Sequence, residues 1–262
     1  MIQKVNYLAD IKYSFGRYIR EYDIRKANIS ILFELGILSK EKYEELYDAD
    51  RMHRQVYIGK LIRSNSSIGE ALKNGIANSK NKFFEANGIL DSDILSIKND
   101  AVFIMDKIAK ATSFGNFGNI NFVLKNTYDT FMQLDKIQVY YGSNLDREVI
   151  DIKGIKDEDL EIYHMPFLSI IIEFIRTMNT FGPEEALDFI NSIMDAYIRK
   201  ELSIECYRCF RSNSGYSMPT KTMGYSILTT PSDYNVDFNY NFALLRQMYG
   251  YAVECLRKKI EG

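Results

Sequence analysis

Apolar and polar residues alternate through the first two dozen positions, and the run from Tyr18 into Ile24 is the clearest strand signal, with Gly16 predicting a turn before it. From Ala27 to Leu35 the spacing becomes helical, and Gly36 stands where a helix stops. Ser39, just before Lys40-Glu41-Lys42, has the side chain of a helix cap. Between Asp50 and Arg63, the positions of Met52, Val56, Tyr57, Leu61 and Ile62 again follow the helical period. Ser64-Asn65-Ser66-Ser67 interrupts them, because short polar side chains bond to nearby backbone and favour turns or caps. A further helix is predicted from about Ile68 to Ala86, ending at Asn87-Gly88.

The following stretch is rich in strand signals. Asp91-Ser92-Asp93 leads into an apolar strand that contains Asp100, and Phe114 to Asn119 has the chemistry of a turn. Ile120 to Leu124, Ile137 to Tyr141 and Val149 to Ile152 read as strands, the last closing at Gly154. From Pro166 the texture changes. Phe167 to Asn179 is an apolar helix, Phe181-Gly182-Pro183 breaks it, and Glu184 and Glu185 sit in the first turn of the next helix, where its dipole favours acids. That helix runs to about Leu202; Ser212 to Pro231 is loop-like, and Phe242 to Ile260 closes the chain as a helix. The pattern predicts an α+β fold, an antiparallel sheet with helices on one face followed by a helical C-terminal region. The expected division is 1–165, with a helical insertion at about 39–88, and 166–262.

Composition bounds what such a chain does. Its 262 residues, 46% hydrophobic, suffice for one large core or two modest ones. No apolar stretch approaches the roughly 18 residues that span a bilayer, and Lys4, Asp10 and Lys12 interrupt what would be a leader's apolar core, so a cytoplasmic protein without a membrane partner is expected. Cys206, Cys209 and Cys255 are too few and odd in number for a secreted disulfide framework. A zinc site on Cys206 and Cys209 would need two more ligands from Cys255, His53 and His164, so free thiols are the simpler reading. Neither histidine lies in a nucleophile or zinc motif. The net charge of -2 argues against strong nonspecific attraction to nucleic acid, but Arg51, Arg54, Lys60, Arg63, Lys73, Lys80 and Lys82 gather in one segment and leave room for a basic groove.

Two carboxylates stand out against this background. Asp23 and Asp100 each interrupt an apolar run, where a carboxylate costs solvation free energy unless it is paired or bound to metal. If they meet in space, they can bridge divalent cations. The plainer alternatives are that Asp23 caps the helix beginning near Arg25, and that Asp100 sits at a strand edge paired with Lys98 or Lys107.

The order of a strand with a carboxylate, basic helices, a second carboxylate strand, more sheet and then helices resembles the core of family B DNA polymerases, over roughly residues 18 to 155. Asp23-Ile24-Arg25-Lys26-Ala27-Asn28-Ile29-Ser30 resembles the first palm motif, with Asn28 where that family has an aromatic steric gate. Ile97 to Ile104 resembles the strand Gly-Asp-Thr-Asp-Ser-Val; Asp100 takes the second aspartate and Lys98 replaces the first. Lys60 to Gly69, with Asn65, one inserted residue and Ile68 for tyrosine, resembles the finger-helix motif. Lys136 to Tyr140 resembles the lysine and tyrosine segment near the primer end, and Lys153-Gly154 a Lys-Gly turn, without the Arg-Arg-Asp that usually follows.

The resemblance implies a palm-like domain with short helical fingers and a thumb-like C-terminal region. It implies a nucleotidyltransferase in which Asp23 and Asp100 are catalytic and hold two Mg2+ ions, for phosphoryl transfer onto a nucleic-acid primer. Arg51, Arg54, Lys60, Asn65 and Asn28 would meet the substrate, a nucleoside triphosphate, and Lys136, Tyr140 and Lys153 the DNA primer–template. No segment is available for a proofreading exonuclease, which suggests a stripped viral DNA-replication core or one subunit of a split polymerase. Two alternatives remain: a catalytically degenerate palm-derived protein that binds nucleic acid, nucleotide or a protein partner, and an unrelated interaction protein with structural carboxylates.

Overall fold

A computed structural model describes residues 6–144, 147–207, 210 and 231–261. The fold is α+β. Its strands are β1 (Asn6–Leu8), β2 (Tyr13–Ile24), β3 (Ile94–Lys98), β4 (Ala101–Met105), β5 (Ser113–Phe114), β6 (Ile120–Leu134), β7 (Ile137–Asn144) and β8 (Arg147–Lys153). They form an eight-stranded sheet in the order β1-β3-β4-β2-β6-β7-β8, with β5 on β6. Pairings β1·β3, β2·β4, β3·β4, β5·β6, β6·β7 and β7·β8 are all antiparallel. The chain divides into two compact units, Met1–Ile11 with Arg17–Thr127, and Lys12–Gly16 with Tyr128–Gly262.

In the first unit four helices follow β2: α1 (Ala27–Glu34), α2 (Lys40–Asp48), α3 (Arg51–Ser64) and α4 (Ser67–Ala86). Local sequence sets two of their starts. The Ser39 hydroxyl accepts from the Lys42 amide and opens α2, and the Asp50 carboxylate accepts from the His53 amide and opens α3. Ile29, Leu32, Phe83 and Phe84 from the helices meet Ile97, Val102, Ile104 and Phe122 from the strands in one core. There Phe83 stacks on Phe122 with ring centroids 4.1 Å apart. Gly75 lets α4 lie close to α1, since a Cβ there would stand 2.3 Å from Ile31 Cγ2.

The second unit joins the far end of β6, β7 and β8 to α5 (Asp157–Asp159), a π-helical turn (Leu160–His164), α6 (Met165–Thr180), α7 (Pro183–Arg199) and α8 (Pro231–Glu261). Met132, Leu134, Val139 and Ile152 from its strands share a core with Phe167, Ile171, Phe174, Ile190, Leu245 and Met248. Its Lys153-Gly154 turn passes so near the Lys136 carbonyl that a Cβ on Gly154 would lie 2.7 Å away, and φ is +101° there.

Four expectations are corrected. The division falls at Thr127/Tyr128 rather than near residue 165, because the apolar faces of β7 and β8 are covered by the C-terminal helices. Gly16 makes no turn; with φ +70° it lies inside the continuous strand β2. The stretch around Asp100 is a hairpin rather than one strand. Most of the loop expected at Ser212 to Pro231 lies outside the described residues, and the C-terminal helix begins at Pro231, earlier than Phe242.

Candidate active site

Asp23 is the penultimate residue of β2, directly opposite Ala101 of β4. Lys98 of β3 also pairs with Ala101, which leaves Asn99 and Asp100 as the turn of the β3–β4 hairpin. Asn99 has φ 51°, a left-handed conformation that asparagine tolerates better than most residues. The pairing therefore sets Asp100 beside Asp23, close enough for its charge to act on the Asp23 carboxyl group. Two ionised carboxylates are both acceptors and cannot bond to each other. Accordingly Asp23 Oδ1 is buried without a hydrogen-bond partner. Burial, and then the charge of Asp100, push Asp23 up to about 6; Lys125 opposes the shift and Glu21 adds to it.

Two of the plainer roles, the helix cap for Asp23 and the Lys107 pairing for Asp100, do not describe these residues. The N-cap of α1 is Lys26, in a left-handed conformation at φ 52° and with no side-chain cap, so Asp23 does not cap that helix. Lys107 is bound by Asp93 Oδ2 at 2.7 Å and donates to the Gly88 carbonyl at 2.6 Å. A cation that interacts with Asp100 comes from α4.

That cation is Lys80, which is only 2% exposed. Its Nζ donates to the Asn99 carbonyl at 2.7 Å and so ties α4 to the turn that carries Asp100. Burial lowers its pKa to about 8, and the nearby Asp100 carboxylate partly offsets that effect. On the strand side, Glu21 is 1% exposed. Lys125 Nζ lies 3.2 Å from its Oε1, and Asn126 Nδ2 donates to Oε2 at 3.0 Å. Sequence reading placed none of these four beside the carboxylates, counting Lys80 only in the basic segment, though two left a signal. Glu21 lies two positions before Asp23 and so shares its strand face, and Lys80 lies on the helical face of Phe83 and Phe84.

The other predicted site residues are not all gathered around the carboxylates. Arg51 and Lys60 are exposed on α3, and Asn28 is exposed on α1. Asn65 Oδ1 accepts from the Ser67 amide at 3.1 Å and from its hydroxyl at 2.7 Å, a local bond at the start of α4. Arg54 reaches further: its guanidinium donates to the Ala49 carbonyl, and its charge acts on Lys26. Lys26 Nζ sits 3.6 Å from the centroid of the Tyr47 ring, with the Arg25 guanidinium 5.9 Å from the same centroid. Burial and then the neighbouring Arg54 and Arg25 lower the pKa of Lys26, so positive charge accumulates where α1 begins.

Lys136, Tyr140 and Lys153 belong to the second unit. Lys136 lies in the β6–β7 turn, and Lys153 is ion-paired with Asp151 at 2.7 Å. Tyr140 is fully buried against Tyr128 and Phe131, which leaves no ring face for a base to stack on. Cys206 is buried and Cys255 half-buried, both as free thiols, while Cys209 lies outside the described residues. Among the described residues no group of three or more His, Cys, Asp or Glu side chains is arranged to hold a metal ion, so Asp23 and Asp100 stand as a pair. No helix among them is long and apolar enough to cross a membrane.

Residues 1–229 match the family described as Bacteriophage PBS1 gene 130 protein, and the chain belongs to that family. No curated protein matches it.

Proposed function

We propose that Asp23 and Asp100 form the cation-binding centre of a nucleotidyltransferase resembling a reduced family B DNA polymerase core. The observation that carries this reading is the pair of facing acceptors, one with a buried oxygen that no protein donor satisfies. A proton, a bridging donor or a cation can join two such groups, and hard divalent cations prefer carboxylate oxygen. Asp23 and Asp100 would hold Mg2+, which in phosphoryl transfer activates the attacking hydroxyl and stabilises the leaving group. The chain's own residues prepare the site. The β2–β4 register places the acids together, Lys80 fixes the Asn99-Asp100 turn, and Arg25, Lys26 and Arg54 supply positive charge for phosphate oxygens near the start of α1. The proposed partners are a DNA primer–template, a nucleoside triphosphate and a second subunit of a split phage polymerase, in the cytoplasm of an infected cell.

Primer extension with Mg2+ tests this reading. The wild type should extend, alone or with its partner subunit, and Asp100→Ala should lose activity on the order of 100-fold or more, beyond the 10- to 100-fold expected from a residue that only supports a metal ligand. Equal activity in the two proteins would refute it. A second reading, a degenerate palm-derived protein that binds nucleic acid, nucleotide or a protein partner, is favoured by one observation: Lys98 ends β3 where a third acid would complete the site. Triphosphate binding that is indifferent to Mg2+ and to Asp100 would select it.

A further inference from the structure

We propose that Lys125 is a tethered cation that competes with a divalent metal ion for the Asp23 carboxylate, so that metal enters only as the ammonium group withdraws. The inference rests on the reading of Asp23 and Asp100 as a cation site. Glu21 and Asp23 are two residues apart on one strand and project to the same side. Glu21 is so fully buried that its charge requires compensation, and Lys125 Nζ supplies it at 3.2 Å while Asn126 bonds the other carboxylate oxygen. Yet the Lys125 side chain remains 52% exposed. Its charged end therefore reaches a buried acid from the solvent side, and its flexible stem gives it room to move away.

Lys125 is also the main attractive charge acting on Asp23. The same carboxylate thus faces an acid, Asp100, and a lysine that partly neutralises it. A divalent ion held by Asp23 would be repelled by the same ammonium charge that attracts this carboxylate. Lys80 contributes another positive charge from α4, but it is fixed on the Asn99 carbonyl and buried. Lys125 is the lysine of the two with a path to solvent.

The test is Mn2+ binding to the full chain at pH 8, measured by calorimetry and by electron paramagnetic resonance, for the wild type, Lys125→Met and Lys125→Arg. Lys125→Met should bind about tenfold more tightly than the wild type, equivalent to about 1.4 kcal/mol, and the charge-retaining Lys125→Arg should bind as the wild type does. A lysine that merely braces Glu21 would lower the melting temperature when removed without tightening Mn2+ binding. If the wild type binds Mn2+ and Lys125→Met binds no more tightly, competition is overturned while the cation site stands. If only Lys125→Met binds, competition is supported and the metal-dependent reading of the natural chain fails. If neither binds, both fail. Lys125→Gln provides the same comparison should the methionine variant not fold.

Discussion

The two units both bury apolar side chains on antiparallel strands, but they handle charge in opposite ways. Among the described residues, the two charged side chains that are almost wholly buried, Glu21 and Lys80, both belong to the first unit and both lie around Asp23 and Asp100. In the second unit the buried polar residues are neutral or histidine, including Thr130, Gln138, His164 and Asn241. Its two-pronged ion pair is at the surface, where Arg176 bonds both oxygens of Glu148 at 2.8 and 2.5 Å with the side chains 45% and 39% exposed. Buried charge costs free energy that a fold avoids unless something compensates it. The first unit retains such charge around one strand end and one turn, and that is where chemistry is to be sought. The second unit is organised around packing.

The largest effect expected from this contrast is in the second unit's core. Phe174 is fully buried on α6, and Phe174→Ala should cost about 3–5 kcal/mol in chemical denaturation. A cost under about 1 kcal/mol would mean that this core is not close-packed. A smaller effect of opposite sign is expected at Asp23. Its folded-state pKa is raised, so its contribution to stability is full below the ordinary carboxylate range and is lost as pH rises through about 6. With chelator present, Asp23→Asn should therefore be more stable than the wild type at pH 8, by about 1 kcal/mol after allowance for solvent screening, and should show no advantage at pH 4. A variant equally or less stable at pH 8 would remove the claim that this carboxylate is held at a cost. The smallest change is expected from Arg176→Ala. Although Glu148 is held down to about 2, chiefly by its bonds to Arg176, the pair is exposed and its loss should cost less than about 1 kcal/mol. A larger loss would erase the distinction between the units.

Much of the first unit was legible because its helix starts are written locally. Ser39 caps α2 as its side-chain chemistry predicts, and Asp50, read only as the start of the next helical segment, caps α3. The hairpin was not, because its turn is Asn99-Asp100 rather than the Asn-Gly or Asp-Gly that marks most two-residue turns. An aspartate in that turn, with apolar residues on both sides, looks the same in sequence as one in mid-strand. Strand β6 runs for 15 residues, far beyond the Ile120 to Leu124 expected, because Lys125, Asn126 and Thr127 interrupt its apolar run without interrupting the strand. Asp23 and Asp100 could be singled out because a carboxylate in an apolar run is itself unusual. Their companions could not: Lys80 and Lys125 read like the solvated lysines of any surface, and only the partner each finds in space sets it apart. The expected division near residue 165 failed for a related reason. Local pattern separates strands from helices, but it does not say which helices cover which strands.

The way β2 is shared has a consequence for how the protein is made. Residues 12–16 belong to the second unit, where Tyr13 packs on Tyr251 and donates to Glu254, 241 positions away. The first unit has all of its residues once the ribosome has passed Thr127, whereas the second waits for its last helix. At translation rates of about 5–20 residues per second, that interval is on the order of ten seconds. During it, residues 12–16 are held for a partner 241 positions downstream, and a nascent-chain binder or protease would meet them then.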